Sequence, residues 1–282
     1  MANKKKTTKK VIKKITFKEQ FKAYNEVCVA GRRYYWQYKK PILYLVKHNG
    51  TITYLSDSVI KSHILGDIKE GHVVCLGFSP FVDNQNVLFG GIDFDVHGYT
   101  PKQRELELKK LDGNNEELKK QEEIYKQIQR DEIKKDIPAF CNALDEFGYL
   151  YFLNNSGSEG QHLRIYSNEP INAKIMQYFL KDLSVKLVGR DDKHEVFPKQ
   201  TELNEGTPFG NQMKGVLAIH PKTKKLAGII EKGIVLDREQ SLNFLVKFAL
   251  PILERFIYNP CLIIFNKIKR RLKCNMKEKF KK

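Results

Sequence analysis

Asp93 and Asp95 stand two residues apart at the end of the run Asn86-Val87-Leu88-Phe89-Gly90-Gly91-Ile92-Asp93-Phe94-Asp95-Val96. Strand alternation puts both carboxylates on one face, about 7 Å apart along the chain, with Ile92, Phe94 and Val96 on the other. No Lys or Arg flanks the pair. Two such acids repel unless a cation lies between them, which makes the stretch a platform for Mg²⁺ or Mn²⁺. A strand-end Asp pair also serves as a solvent-facing turn, and these residues alone do not separate the two readings.

Three further stretches carry chemistry. Asn154-Asn155-Ser156-Gly157-Ser158-Glu159-Gly160-Gln161-His162 is a tight polar turn opening an alternating strand. Its small residues let a ligand approach the backbone, and successive N–H groups can form an anion nest. The hydroxyls of Ser156 and Ser158 can donate to phosphate oxygens beside Gly160, and His162 can reach the same anion. A plain Gly/Ser hairpin has the same composition, and neither phosphate-loop pattern is present. In His194-Glu195-Val196-Phe197-Pro198-Lys199-Gln200, an extended backbone offers Glu195 as a third carboxylate and Lys199 as a triphosphate partner. Asn211-Gln212-Met213-Lys214 then places Asn211 and a second phosphate cation, Lys214, ahead of an apolar stretch.

The elements that must position these residues follow from periodicity. Phe17, Phe21, Tyr24 and Cys28 predict a helix ended near Gly31. Ile42–Val46 and Thr51–Leu55 read as strands joined by an Asn49-Gly50 turn. Ser56 caps a short helix through Leu65, and His72–Gly77 is a further strand. Residues 103–136 are dense in Glu, Lys and Gln and read as two helices, the second restarting at Asp136 and Pro138. Strands at 149–153 and 161–166, a helix over 171–188, a short strand at 195–197, a strand over 213–219 and a helix over 237–257 complete the chain.

Charge is concentrated at the ends. The net charge is +17, and residues 1–14 carry seven lysines and no acid. Residues 267–282 carry nine Lys or Arg, including Lys269, Arg270 and Arg271, against Glu278 alone. Such ends suit a polyanion, with nucleic acid foremost, though a solubilising tail has the same composition. Arg32 and Arg33 open a segment that interleaves bases with Tyr34, Tyr35, Trp36 and Tyr38, which can grip phosphates and stack bases or form a half-buried strand. Five scattered cysteines without a C-x-x-C indicate neither a disulfide framework nor a zinc knuckle. No apolar run approaches the roughly 20 residues of a membrane span, and the N-terminus lacks a signal-peptide core. A cytoplasmic setting is the expectation.

The order of the four stretches resembles that of the archaeo-eukaryotic primase superfamily. There the first motif is an acidic pair on a strand, here Gly91 to Asp95. Motif two is similar to the Ser-Gly-Ser-x-Gly-x-His-Leu form of bacterial and plasmid members, here Ser156 to Leu163, and the third is an apolar-flanked acid, here Glu195. Glu195–Gln200 and His63-Ile64-Leu65-Gly66 most resemble the primase-polymerase branch of conflict systems and CRISPR-associated loci. The resemblance covers roughly residues 40–235. It departs at Glu159, where relatives often carry Lys or a small residue.

The resemblance implies an α/β (α+β) protein of two packed lobes, an N-terminal α/β subdomain and a C-terminal RRM-like catalytic subdomain. Residues 1–14 would be a flexible basic tail, 15–260 the primase-polymerase domain and 261–282 a basic C-terminal helix. It implies primer synthesis and extension on single-stranded or primed DNA from NTPs or dNTPs. Asp93, Asp95 and Glu195 would hold two Mg²⁺ or Mn²⁺ ions roughly 3.5–4 Å apart. Ser156, Ser158, Gly160, His162, Lys199, Asn211 and Lys214 would bind the nucleotide, and Arg32, Arg33, Lys269, Arg270 and Arg271 the template. Conflict-system or CRISPR proteins are the implied partners. A two-metal nuclease and a non-catalytic replication accessory protein are the rival readings.

Overall fold

A computed structural model describes residues 14–32, 35–39, 42–45, 47–48, 51–52, 55–69, 71–205, 207 and 210–254. Arg33, Lys269, Arg270, Arg271, the Asn49-Gly50 turn, nearly all of the N-terminal tail and the expected C-terminal helix lie outside the described residues.

In chain order, the first part holds α1 (Phe17–Cys28), β1 (Tyr35–Lys39), β2 (Ile42–Leu45), β3 (Lys47–His48), β4 (Thr51–Ile52), α2 (Asp57–Leu65), β5 (Ile68–Lys69), β6 (His72–Val73) and β7 (Cys75–Phe78). There follow β8 (Asn86–Phe94), α3 (Pro101–Lys110), α4 (Asn115–Glu146), β9 (Leu150–Asn155), β10 (Gln161–Asn172), α5 (Ala173–Val188) and β11 (Glu195–Phe197). The described chain ends with β12 (Met213–Lys214), β13 (Ile229–Glu231), β14 (Ile234–Val235) and α6 (Arg238–Glu254).

Local chemistry starts the helices where caps are available. Thr16 and Glu19 form a reciprocal capping box on α1, and Ser56 accepts from the Val59 N–H to cap α2. Gly66 ends α2 in the left-handed region at φ 73°.

The larger sheet runs β11-β8-β10-β9-β13-β14, with every recorded pairing antiparallel. Its first four strands, with α3 and α4 after β8 and α5 after β10, follow a β-α-β-β-α-β order and so form the expected RRM-like lobe. One face buries Ile92, Phe94, Leu163, Ile165 and Val196 against Phe140 and Leu144 of α4 and Met176 and Leu180 of α5. The other face packs Phe89, Phe152, Tyr166 and Phe197 against the N-terminal lobe, through Tyr24, Ile60, Phe78 and Met213, and against Leu242 and Leu245 of α6. The smaller sheet, β12-β7-β1-β2, belongs to that lobe but borrows β12 from late in the chain. The two lobes therefore share one core, and the acid-bearing β8 lies inside the seam.

Three expectations are corrected. No break occurs at Pro138: α4 runs unbroken from Asn115 to Glu146. The buried stripe Ile133, Ile137, Phe140 and Leu144 spans the proline, and its burial outweighs one lost hydrogen bond. No helix starts at Asp136; it is buried inside α4 and bonded to Lys193 and His194. The strand expected over 213–219 stops at Lys214, because Leu217 turns the chain at φ 67°.

Candidate active site

The acid pair sits at the open end of β8, between two ladder partners. Asp93 pairs directly with Glu195 of β11 on one side and with His162 of β10 on the other. His162 in turn faces Asn154 of β9. Directly opposed residues of an antiparallel pair point to the same face, so Glu195, Asp93, His162 and Asn154 form one row across four strands. The turn between β9 and β10 closes over Asp95. A methyl group added to Gly160 would lie 2.9 Å from Asp95 Oδ1 and 3.0 Å from the Phe94 carbonyl oxygen.

Electrostatics follow from this crowding. Burial, then the charges of Asp95 and Glu195, push the Asp93 carboxyl up to about 7, with Lys214 and Lys199 acting the other way. Asp93 Oδ1 is closed to solvent and makes no hydrogen bond; His162 Nε2 approaches it at 3.4 Å without forming one. Burial, with Arg164 and Lys214 nearby, holds His162 well below the usual imidazole range. The ring is therefore neutral, and it would meet an anion as a hydrogen-bond donor rather than as a cation.

The lysines are held in place. Lys199 Nζ donates to Glu195 Oε1 at 2.7 Å, and its loop is tied to α5 by Gln177, which donates to the Pro198 and Lys199 carbonyls. Gln200 and Asn211 bond each other, so Asn211 braces the same loop. Lys214 Nζ donates to the Ser156 carbonyl at 2.9 Å, and burial lowers its pKa. The strand carrying it is anchored next door, where Val216 O accepts from Tyr24 Oη at 2.7 Å and from His63 Nε2 at 3.0 Å. His63 is thus a buried strut of the β12 region.

The turn differs from the open nest expected of it. Ser156 N–H already donates to the Gly160 carbonyl and Ser158 N–H to Ser156 Oγ. Glu159 points away toward α4 and pairs with Arg130 Nη2 at 2.9 Å. The residues after Ile219 cover the turn from outside: Thr223 Oγ1 donates to the Gly157 carbonyl, and His220 Nδ1 accepts from the Thr223 N–H at 3.1 Å.

The structure therefore brings together Asp93, Asp95, Glu195, Ser156, Gly160, His162, Lys199 and Lys214. Ser158 is exposed on the rim. Arg32 is engaged elsewhere, by Asp57, the Leu55 carbonyl and Asn25. Asn154 stood at the head of the turn motif with no role assigned to it, and Arg164 was not singled out, although it follows His162 by two on the same strand and so shares its face.

Comparison with known proteins sets this geometry in a family. The family model of the archaeo-eukaryotic primase domain of the TOTE conflict system matches residues 12–245. The chain belongs to this family. No curated protein matches the sequence. Among solved structures, the polymerase domain from Mycobacterium tuberculosis ligase D in complex with DNA superimposes with a TM-score of 0.37 and 13% identity, covering 82% of this chain and 89% of that one. Membership of the archaeo-eukaryotic primase family makes the general class of the chain that of a primase-polymerase nucleotidyltransferase. Among the described residues no helix is long and apolar enough to cross a membrane.

Such primase domains generally use divalent metal ions. The donors here have the right chemistry: hard oxygens that repel one another, one of them a buried Asp93 oxygen without a hydrogen bond. They are not gathered around one point, and among the described residues no three His, Cys, Asp or Glu side chains are clustered as for a metal. Glu195 is drawn to Lys199, and Asp95 Oδ1 accepts from the Val96 N–H at 3.0 Å.

Proposed function

We propose that the chain is a template-directed primase-polymerase that starts primers and extends DNA or RNA primers on single-stranded DNA. The observation that carries this reading is the row Glu195, Asp93, His162, lying beside the Gly160 turn and Lys214. Three acids that could take cations and several donors that could take a triphosphate lie around the open end of β8. A nucleotide-transfer site needs both.

Asp93, Asp95 and Glu195 would hold two Mg²⁺ or Mn²⁺ ions, which supply activation of a 3′-hydroxyl and neutralise charge on the leaving pyrophosphate. Lys199 would exchange Glu195 for a phosphate oxygen, freeing the carboxylate as nucleotide enters. Lys214 and the Ser156 hydroxyl would donate to the triphosphate from the opposite side, and Ser158 from the rim. The His162 Nε2–H would add a neutral donor where negative charge grows in the transition state. Asn211 acts through Gln200 on the Lys199 loop. Residues 15–260 form the catalytic unit in this reading. The basic ends, with Arg33, bind template through phosphate contacts, and Arg32 would have to leave Asp57 to join them.

The test offers labelled NTPs or dNTPs with Mg²⁺ or Mn²⁺ on primed and unprimed single-stranded templates. Extension of the primer and new short products on the unprimed strand are expected. Shortening of the labelled strand would replace the reading with nuclease action, and binding alone with an accessory role.

A further inference from the structure

Behind Asp93 lies a chain of buried polar side chains with only one consistent assignment of hydrogens. Arg164 and Asn154 are 0% exposed and His162 is 4% exposed. Arg164 Nε donates to Asn154 Oδ1 at 3.2 Å. A guanidinium only donates, so the Asn154 atom facing it must be the oxygen. The amide nitrogen is thereby turned the other way, where it donates to the Asn155 carbonyl at 2.8 Å and meets His162 Nδ1 at 3.3 Å. An amide nitrogen also only donates. His162 Nδ1 must then accept, and the ring proton must sit on Nε2, the atom that faces Asp93 Oδ1 at 3.4 Å.

The guanidinium does a second thing. Its Nη2 donates to the carbonyl of Lys214, on a strand of the other sheet, while Lys214 Nζ donates to the Ser156 carbonyl. Its plane lies near the Phe89 ring, with the centroid 5.4 Å away. Burying an arginine is costly, and Nη1 is left without a hydrogen bond. Packing alone would be served better by an apolar side chain of that size. What an apolar side chain cannot do is set the orientation of an amide and tie it to the strand of the second lobe.

We propose that Arg164 and Asn154 are positioning residues that lock His162 as its Nε2–H tautomer and hold the Lys214 strand against the same row. The neutral histidine then always presents a donor, never a lone pair, to the acid row and to a phosphate oxygen arriving there. The kinetic consequence rests on the nucleotidyl-transfer reading; the tautomer does not.

Asn154→Asp tests this at almost constant shape. The carboxylate still accepts from Arg164 but replaces the donor facing His162 Nδ1 with an acceptor, so the proton must move to Nδ1. Nitrogen-15 NMR of histidine-labelled protein at pH 8 should show His162 as the Nε2–H form in the wild type and carrying a proton on Nδ1 in Asn154→Asp. The wild-type spectrum is decisive even if the variant does not fold: an Nδ1–H form there overturns the proposal. In primer extension, Asn154→Asp and Arg164→Lys should raise the nucleotide KM at least tenfold while kcat changes less. A switched tautomer in an active enzyme with unchanged KM overturns the positioning role. A switched tautomer in a protein whose wild type incorporates no nucleotide leaves the lock standing and removes the polymerase reading instead.

Discussion

Asp93 and Glu195 are direct partners in the β8–β11 ladder, so two of the three acids come from strands far apart in the chain yet share one face. Burial first, then repulsion from Asp95 and from Glu195, pushes the Asp93 carboxyl up to about 7. Asp93→Asn and Glu195→Gln remove that repulsion and one cation ligand each. Primer extension should fall by at least 1,000-fold in either, with single-strand binding changed less than threefold. The same variants should be as stable as the wild type, or more so, without metal, and should lose any rise in melting temperature on adding Mn²⁺. A variant that keeps both extension and the Mn²⁺ shift would remove the metal assignment.

Lys199 holds Glu195 in an exposed ion pair, the kind that contributes about 0–1 kcal/mol to stability. Lys199→Gln should therefore leave the unfolding free energy within about 0.5 kcal/mol of wild type. It should also raise the nucleotide KM and tighten Mn²⁺ binding, because Glu195 is no longer occupied. Calorimetric titration of Mn²⁺ separates the two effects; unchanged affinity for both ligands would make Lys199 a surface residue.

Gly160 is where the turn meets the acid pair. An added methyl would press on Asp95 Oδ1, the Phe94 carbonyl and, at 3.3 Å, Ser156 Oγ. The first contact is with a side chain that can rotate, but the second is with backbone that must shift, so Gly160→Ala should cost about 1–3 kcal/mol of stability. Its effect on catalysis should be larger, a drop in kcat of tenfold or more, since Asp95 must turn away from the row. Loss of stability without that drop would argue against a role for Asp95 at the site.

The buried His63 ring gives a pH dependence with a definite sign. Burial pushes its pKa down to about 4, against an ordinary 6.5 in the unfolded chain. Between those values the unfolded chain binds a proton that the folded one refuses. Its contribution is therefore intact above about pH 6.5 and is lost as pH falls toward 4, on the order of 3 kcal/mol in all. His162 acts with the same sign. Asp93, raised instead of lowered, acts with the opposite one, costing stability as pH rises toward 7. His63→Gln can still donate to Val216 O but does not titrate, so unfolding free energies of variant and wild type should converge between pH 7 and 4.5. Parallel curves would mean that His63 does not titrate against folding.

Alternation and turn chemistry made the acid pair, the Gly/Ser turn and the Glu195 strand readable in the sequence, because each is set by residues within a few positions. What could not be read is register. Nothing local says that Glu195 and His162 both stand opposite Asp93, since that depends on where β8, β10 and β11 slide to rest. Arg164 escaped notice for the same reason: its partners Asn154 and Lys214 come from two other strands. β13 and β14 were missed as strands of two or three residues that only pairing defines. The proline in α4 misled because the breaking rule is local, whereas the stripe that overrides it is tertiary.

The seven lysines of residues 1–14 allow the template contact to be counted. On single-stranded DNA each neutralised phosphate contributes a slope of about −0.7 in log affinity against log salt. If all seven engage, deleting residues 2–14 should flatten that slope by about 5 units; if half do, by about 2.5. Binding of a fluorescent single strand between 50 and 200 mM NaCl, as wide as a routine titration allows, measures it. Because these contacts are to phosphate, the loss should be the same for different base compositions, and primer extension at low salt should keep its kcat. An unchanged slope would assign template binding to the folded domain and leave the tail outside it.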